Sequence, residues 1–403
     1  MRFRGLHVIL GRGSSSVTLF AFVFFFNQHS DIDGFSSAAY DDRDCHWHSD
    51  ESMSRTKILF PYYVDQERAI PHLFYQLASH LDPSRYEVTM FSNGKKETVP
   101  ETVSTATLGD SGFQAKLGAA NTALGQFDLL HTGGYPKITL PMGLVAQMRN
   151  RGLGHVHSFR VDIEPSGDYS TRYKRVLARL ADHHVSVSEH TSETVKRHLG
   201  IESDVIHNPV DTDLFNPNYE QSKRVDTEDG VKSILFVGAL SQRKRPSDVL
   251  SVAKQVDDAK FFIIGDGPQQ KTIERQADKI QNVECLGRLP KVELPQLYST
   301  ADLLLFPSVR EGCPNVVMEA MASETPVCGY NTTSMPELIT NGETGHLDDI
   351  GDVESLANWI SSTSLNELEQ AGKIAREEMI DNHHPSVIAA QYNSIYEELL
   401  TEN

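Results

Sequence analysis

The sequence predicts an α/β protein made of two domains, each with a parallel sheet covered by helices on both faces. At 403 residues the chain is too long for one ordinary hydrophobic core, so two domains are expected. Short apolar runs typical of buried strands alternate with segments of helical periodicity, and this alternation indicates parallel sheets between helical layers.

Composition narrows the class of protein. Hydrophobic residues make up 39% and charged residues 23% of the chain, which is typical of a globular enzyme. The formal net charge of −18 argues against nucleic acid as a partner and against broad adhesion to an anionic membrane. Four cysteines, at positions 45, 285, 313 and 328, show no metal-ligand spacing, so reduced thiols of a cytoplasmic protein are expected.

Residues 1–52 differ from the rest of the chain. Three arginines precede a ten-residue apolar run at 17–26, which is shorter than the roughly 20 residues that span a bilayer. Three interpretations stay open: the protein starts at Met53, the segment is a disordered or lightly anchoring leader, or the run belongs to a signal peptide.

Residues 53–225 are predicted to form the first domain. Strands are expected near Ile58 and over 86–91, 127–131, 155–159 and 184–188, with a helix over 69–81. Ligands bind at the carboxyl ends of such strands, where His131, His157 and Ser188 stand. A lone histidine there is more often structural than catalytic, so the pattern alone leaves both roles open.

The middle of this domain is basic within an acidic chain. The cations are Arg149, Arg151, Arg172, Lys174, Arg175 and Arg179. Helical spacing of apolar residues over 173–180 favours an amphipathic helix with a solvated basic face. The alternative is peripheral contact with acidic lipid or with a phosphate-bearing acceptor.

Residues 226–382 are predicted to form the second domain, which begins with a strand at 232–238. Arg243, Lys244 and Arg245 follow that strand. Such a cluster is usually solvated, yet it also provides a suitable counter-charge for a diphosphate. The glycine turn at 265–268 is equally compatible with a structural role and with close approach of a ligand.

Two carboxylates with seven residues between them, Glu311 and Glu319, mark the candidate site. Glu319 lies in a predicted helix over 315–322 that Pro314 is expected to open. The helix N-terminus suits a phosphate. Asn315 and Glu319 share one helix face, where a carboxylate can bind two ribose hydroxyls. Isolated carboxylates would more often be solvated, so the surrounding sequence decides the interpretation.

That surrounding sequence contains the segments FVGALSQRKRP, FFIIGDGP, VECLGRLP, ADLLLFPSVREGCPNVVMEAMASETPV and MPELITNGETGHL. In this order, over about 120 residues, they resemble the donor-binding domain of family-4 retaining glycosyltransferases of the GT-B fold, the glycosyl transferases group 1. The first domain agrees more weakly, through VSVSEHTSETVKRHLGIESDVIHNPVDTDLFNP.

The resemblance implies two Rossmann-like domains facing a cleft, with a C-terminal helix over 383–403 that crosses back to the first domain. It also implies a retaining, metal-independent transfer of a hexose from a UDP- or GDP-linked sugar, with no cofactor. The acceptor would be a glycan, a lipid or a polyprenyl-linked molecule, and the enzyme would be cytoplasmic or peripheral at the inner face of the membrane.

Roles at matching positions follow from the same resemblance. Glu311, Lys244 and His157 are the expected catalytic residues: beside the donor sugar, on the diphosphate and across the cleft, respectively. Glu319 is expected on the ribose. The other expected donor-site positions are Gly238, Arg243, Gly267, Arg288, Leu289, Gly312, Cys313, Pro314 and Asn315; no metal ligand is expected.

Three positions depart from the family pattern. Ala239 stands where an arginine is usual, which removes one cation unless Arg243 or Arg245 replaces it. The glycine pair after the first strand is missing at 65–69, and Pro209 replaces a glycine after Asn208.

Two rival functions therefore stay open. Ala239 and the changed loop at 65–69 favour a non-catalytic protein of the same fold, whereas the intact Glu311, Glu319 and Lys244 oppose it. A sugar-nucleotide epimerase would need no acceptor. A nicotinamide dehydrogenase is poorly supported, because GxGxxG follows the first strand of neither domain.

Overall fold

The computed structural model describes residues 55–64, 69–92, 103–107, 126–134, 139, 142–144, 146, 153–161, 175–176 and 178–402. The segment 1–52, the loop at 65–68 and the cations Arg149, Arg151, Arg172 and Lys174 lie outside the described residues, so the predictions made for them are not addressed.

The first sheet has seven parallel strands in the order β3-β2-β1-β4-β5-β6-β7. They are β1 (Thr56–Tyr63), β2 (Tyr86–Ser92), β3 (Val103–Thr107), β4 (Leu129–Gly133), β5 (Gly154–Phe159), β6 (His183–Ser186) and β7 (Asp204–Val205). Helices α1 (Ala69–His80) and α2 (Glu189–Leu199) belong to this domain. Strand β3 was not predicted, because its polar sequence VSTAT lacks an apolar run.

The second sheet has six parallel strands in the order β10-β9-β8-β11-β12-β13. They are β8 (Lys232–Val237), β9 (Ala259–Ile264), β10 (Val283–Gly287), β11 (Leu303–Phe306), β12 (Val327–Tyr330) and β13 (Gly345–Asp348). Helices α3 (Pro246–Ala253), α4 (Gln270–Ala277), α5 (Leu294–Thr300), α6 (Asn315–Ala322), α7 (Met335–Leu338), α8 (Val353–Ser362) and α9 (Leu365–His383) accompany them, with a 3-10 turn at Lys291–Glu293.

The strand order creates the crevice that positions the site. From β8 the chain builds outward through β9 and β10, then returns to place β11 on the other side of β8. The loops after β8 and β11 therefore diverge, and ligands bind at such a switch point. Both faces of the sheet are buried, and all four residues of β11 lie in the core, as its unbroken apolar sequence requires.

A last helix, α10 (Pro385–Glu402), leaves the second domain and packs on the first sheet. An apolar stripe of this helix is buried against the first domain: Ile388, Tyr392, Ile395, Tyr396 and Leu399. The expected return of the C-terminal helix is thus confirmed. Helix α9, which was not predicted, begins with a capping box formed by Ser364 and Glu367, a signal that is visible in the sequence.

Part of the basic segment differs from its prediction. Val176 was expected on the apolar face of a helix, but 47% of it is exposed, and Ala178 is buried instead. Arg175 and Arg179 are exposed, as a solvated basic face requires. Ala178, which packs with Phe159 and Val195, is therefore the residue through which this segment contacts the first domain's core.

Candidate functional site

The loops after β8 and β11 bring a lysine and a glutamate together. Nζ of Lys244 lies 2.7 Å from Oε1 of Glu311 and 4.3 Å from the centre of the Phe306 ring. Only 9% of Lys244 and 7% of Glu311 is exposed. Burial lowers the pKa of the Lys244 ammonium, and Glu311 opposes this effect. The pair is a strong, poorly screened dipole in the crevice.

Arg243 supplies a second cation at the same carboxylate. Its NH1 lies 2.9 Å from Oε1 of Glu311 and donates to the carbonyl of Arg310 at 2.6 Å. Arg245 instead pairs with Asp248 at 2.5 Å, and Asp248 also accepts from Tyr330. Of the two arginines that could offset the missing cation at Ala239, the structure brings only Arg243 to Glu311.

The Glu311 carboxylate is held from one side. The hydroxyl of Ser308 donates to Oε1, the oxygen that also contacts both cations. The Glu311 N–H donates to Thr333 Oγ1 at 3.0 Å, and Ser334 Oγ donates to the Glu311 carbonyl at 3.2 Å. Within the described part of the chain, these contacts leave Oε2 as the oxygen that can accept from a ligand.

The turn that follows Glu311 packs directly against the first domain. A Cβ atom added to Gly312 would lie 2.9 Å from the carbonyl oxygen of Arg160, closer than real Cβ contacts allow. Glycine is therefore required by this approach. Burial raises the pKa of the next residue, the Cys313 thiol, to about 12, so this side chain is a neutral packing group.

Helix α6 spans Asn315–Ala322, as predicted. Pro314, expected at the first helical position, is instead the N-cap residue, and its carbonyl accepts from the N–H of Val317 and Met318. Proline suits both positions because neither needs an N–H donor, so the sequence did not distinguish them. The positive end of the helix dipole faces the crevice beside Glu311.

Glu319 lies one turn along this helix and is 7% exposed. Burial raises the pKa of its carboxyl, while Lys291 and a hydrogen bond from Tyr298 at 3.5 Å oppose the rise. Asn315 and Glu319 line one cavity, as their spacing predicted, and Asp211 from the interdomain segment lines it too. Residues of helix α1 close the cavity from the first domain.

The remaining positions expected to bind the donor lie in the loops after β8, β9 and β10. Gly238 lies beside the Lys244 side chain, since an added Cβ would be 3.9 Å from its Cδ. Gly267 (φ +152°) packs on Leu240, whose carbonyl oxygen would lie 2.7 Å from an added Cβ. Arg288 is exposed and 3.6 Å from Asp266, a weak solvated pair. Leu289 packs against the core of the domain.

His157 lies inside the first sheet and is 3% exposed. Its Nδ1 is 2.9 Å from Oγ1 of Thr132, and its ring contacts Phe159 at 4.8 Å. Arg160, which directly follows β5 and lies three positions after His157, meets the second domain. The catalytic role of His157 across the cleft thus stays a prediction. The charged Arg160 directly after an apolar strand is the signal that sequence reasoning missed.

The other two polar residues at strand ends have structural roles. His131 is buried between Tyr396 and Ser158, at 2.6 Å and 2.7 Å. Ser188 is the N-cap of α2 and accepts from the N–H of Thr191 at 3.1 Å. Both observations agree with the structural alternative that was left open for side chains at these positions.

The described ranges contain neither a candidate metal cluster nor a helix suited to span a membrane. In these ranges, no three His, Cys, Asp or Glu side chains are grouped so that they could hold a metal ion. Nor does any helix in them have the length and apolar character needed to cross a membrane.

Comparison with known families places each domain. Residues 72–214 match the family described as Glycosyltransferase Family 4, and residues 218–383 match the one described as Glycosyl transferases group 1. Among curated relatives, the N-acetyl-alpha-D-glucosaminyl L-malate synthase of Bacillus anthracis is 29% identical over 228 residues, which is 54% of this chain and 59% of the relative. The matched part spans 35% to 61% of the first four curated relatives.

Solved structures share the whole architecture. Sucrose-phosphate synthase from Thermosynechococcus elongatus superposes with a TM-score of 0.72 at 19% identity, over 87% of this chain and all of that one. Anabaena HepE in complex with UDP and glucose gives a TM-score of 0.69 at 19% identity, over 85% of this chain and all of that one. These similarities establish the two-domain GT-B fold.

Proposed function

This chain belongs to the family-4 glycosyltransferases of the GT-B fold, and on that premise we propose that it transfers a hexose from a UDP- or GDP-linked sugar with retention of configuration. The acceptor in this proposal is a glycan, a lipid or a polyprenyl-linked molecule. The observation that supports it most is the buried Glu311 carboxylate, which Lys244 and Arg243 share at the start of α6.

The arrangement meets the electrostatic demands of breaking a sugar–phosphate bond. Negative charge develops on the leaving diphosphate and positive charge on the sugar ring. Lys244, Arg243 and the N-terminus of α6 would stabilise the diphosphate, because they form a fixed, poorly solvated set of donors. Oε2 of Glu311, the oxygen that the described cations and Ser308 do not contact, would accept from the donor sugar. The protein's own cations would then provide the charge stabilisation, and the proposal includes neither a metal nor a cofactor.

Retention in this proposal needs no protein nucleophile. The acceptor oxygen attacks the anomeric carbon on the face from which the diphosphate leaves, and a phosphate oxygen of the leaving group takes the acceptor proton. Cys313, the thiol nearest this turn, is buried with a raised pKa and is unsuited to form a covalent intermediate. Closure of the cleft would exclude water and limit hydrolysis of the donor.

The donor and acceptor classes have separate support. Glu319 at the cavity suits two ribose hydroxyls, and the HepE structure of the same fold holds UDP and glucose, so UDP is the first nucleotide to test. The exposed Arg175, Val176 and Arg179 support peripheral contact with the inner face of an anionic membrane. A lipid-linked acceptor would be reached from that surface.

A calorimetric titration of UDP, GDP and ADP into the full chain tests this function. We expect one nucleotide to bind, and Glu319→Ala to abolish that binding, whereas the exposed Glu228→Ala leaves it unchanged. Binding of none by the folded protein would overturn the proposal.

The non-catalytic alternative, which Ala239 favours, is separated by adding the matching sugar nucleotide and a lipid or glycan acceptor. Release of the nucleotide diphosphate with transfer of the sugar supports the enzyme. Binding without release supports the alternative, and conversion of the sugar without an acceptor supports an epimerase.

A further inference from the structure

A polar path leads from the first domain to the start of α6. Arg160, the first residue after β5, donates from NH1 to Oδ1 of Asn208 at 2.8 Å. Asn208 donates from Nδ2 to the Cys313 carbonyl and to Oδ1 of Asn315, both at 3.0 Å. Asn208 is buried, so each of its contacts is poorly screened by water. Three side chains thus connect β5 with the helix that borders the proposed donor site.

The donor and acceptor groups of the three side chains fix the orientation of the Asn208 and Asn315 side-chain amides along this path. Arginine carries donors only and stays charged, so the group of Asn208 that faces it must be the carbonyl oxygen. The NH₂ of Asn208 then points to the second domain and fixes the Asn315 carbonyl oxygen toward itself. Asn315 lines the cavity together with Glu319, and its side-chain NH₂ is the group that Asn208 does not engage.

Contacts with Phe74 and Tyr392 hold the Arg160 side chain beside Asn208. Its guanidinium lies 5.0 Å from the centre of the Phe74 ring, and NH2 is 3.5 Å from the Tyr392 hydroxyl. Nε is buried with no hydrogen-bond partner among the described residues, so removing this side chain from water is costly. The carbonyl oxygen of Arg160 also packs against Gly312. These contacts fix the Arg160 side chain at the junction between the two domains.

We propose that Arg160 is a positioning residue for the nucleotide diphosphate. Acting through Asn208, it orients the Asn315 amide so that the NH₂ donates to a phosphate oxygen at the start of α6. The inference rests on the proposed function, because it takes α6 as the donor site. Arg160 belongs to the first domain and Asn315 to the second, so the orientation is set only when the domains are apposed as in this structure.

Calorimetry with UDP and with uridine, on the full chain, tests the path. Arg160→Met removes the donors at similar length, and Asn208→Asp places an acceptor against the Cys313 and Asn315 oxygens. We expect each to weaken UDP binding about tenfold and to leave uridine binding unchanged, since one oriented hydrogen bond to a charged group is lost. Arg160→Lys, which keeps a cationic donor, should restore most of the affinity.

A double-mutant cycle separates positioning from general structure. Asn315→Ala removes the end of the path, so Arg160→Met should have little further effect on UDP binding in that background. Arg55→Met is the matched control, because it removes an exposed arginine of the first domain that pairs with Glu87 and takes no part in the path. Its UDP affinity should equal that of the wild type. Thermal unfolding of every variant shows whether a loss comes from misfolding.

The outcomes are distinct. Wild-type UDP affinity in folded Arg160→Met, or additive losses in the double mutant, would overturn the inference and leave the proposed function standing. Equal losses for UDP and uridine would also overturn it, because the path would then not act on the phosphates. If Arg160→Met does not fold, Asn208→Asp provides the same comparison. A wild-type protein that binds no nucleotide diphosphate would overturn the proposed function itself.

Discussion

The carboxylate of Glu337, in the second domain, caps the helix of the first domain that begins at Glu189. Its Oε2 accepts from the Glu189 N–H at 2.7 Å, and its Oε1 accepts from the His190 N–H at 2.9 Å. Ser188 satisfies the next free donor, the N–H of Thr191. The N-terminus of α2 is thus completed by a residue from across the cleft, so this contact ties the two domains together.

Loss of that cap should destabilise the protein in a pH-dependent way. We expect Glu337→Ala to lower the free energy of unfolding by about 1–2 kcal/mol at neutral pH, the usual worth of a helix cap. Burial raises the pKa of the Glu337 carboxyl, but hydrogen bonds from His207, His190 and Glu189 outweigh it, so the pKa is lowered overall.

The sign of the pH dependence follows from that lowered pKa. A carboxyl whose pKa is lower in the folded state stabilises the fold above its unfolded pKa of about 4.3, and the effect disappears as pH falls through the folded value. Urea unfolding at pH 7 and below pH 4 measures the difference between wild type and Glu337→Ala. The exposed Glu228→Ala is the control. A difference that stays constant with pH would contradict this account.

Two neighbouring arginines should differ in their effect on sugar transfer. Arg243→Gln removes a cation from Glu311, so we expect turnover to fall about tenfold. Arg245→Gln is the matched control, because its partner Asp248 lies outside the crevice loop, and it should leave turnover unchanged. Steady-state rates of nucleotide release measure both. Equal losses would show that Arg243 does not replace the cation absent at Ala239.

Lys244 should matter most to the reaction. Lys244→Met removes the cation closest to Glu311, and we expect turnover to fall about 100-fold, as when a donor to developing negative charge is deleted elsewhere. Lys260 also pairs with a glutamate, Glu284 at 2.9 Å, and lies over a phenylalanine ring at 4.8 Å, but on β9. Lys260→Met should therefore keep full activity, and a loss in both variants would argue against a special role of Lys244.

We expect Glu319 to lower the free energy of unfolding while it contributes to nucleotide binding. Its pKa is raised by burial, so between the unfolded pKa of about 4.3 and the raised folded value, stability falls as pH rises. Glu319→Gln should thus raise the free energy of unfolding at neutral pH and weaken nucleotide binding on the order of 10- to 100-fold. Denaturant unfolding and calorimetry measure the two effects. A Glu319→Gln variant with a lower free energy of unfolding than the wild type at pH 7 would contradict this prediction.

Much of the fold follows from local patterns, and the omissions have physical reasons. The apolar run of β8 is local, so the strand predicted from it forms, and the C-terminal helix packs on the first domain as expected. Strand β3 is short and polar and forms because β2 offers it an edge. Helix α9 buries only a few of its residues, so its capping signal is stronger than its apolar periodicity.

Part of the site could likewise be predicted from the sequence, and part could not. The two carboxylates on either side of a helix start, and the shared face of Asn315 and Glu319, could be predicted because helix geometry relates residues that are close in sequence. That Arg243 and not Arg245 reaches Glu311, and that Arg160 contacts the turn after Glu311 through Asn208, depends on the packing of segments far apart in sequence. The direction of a side chain at a strand end depends on loop conformation and on contacts from distant segments, and these leave no periodic trace in the sequence.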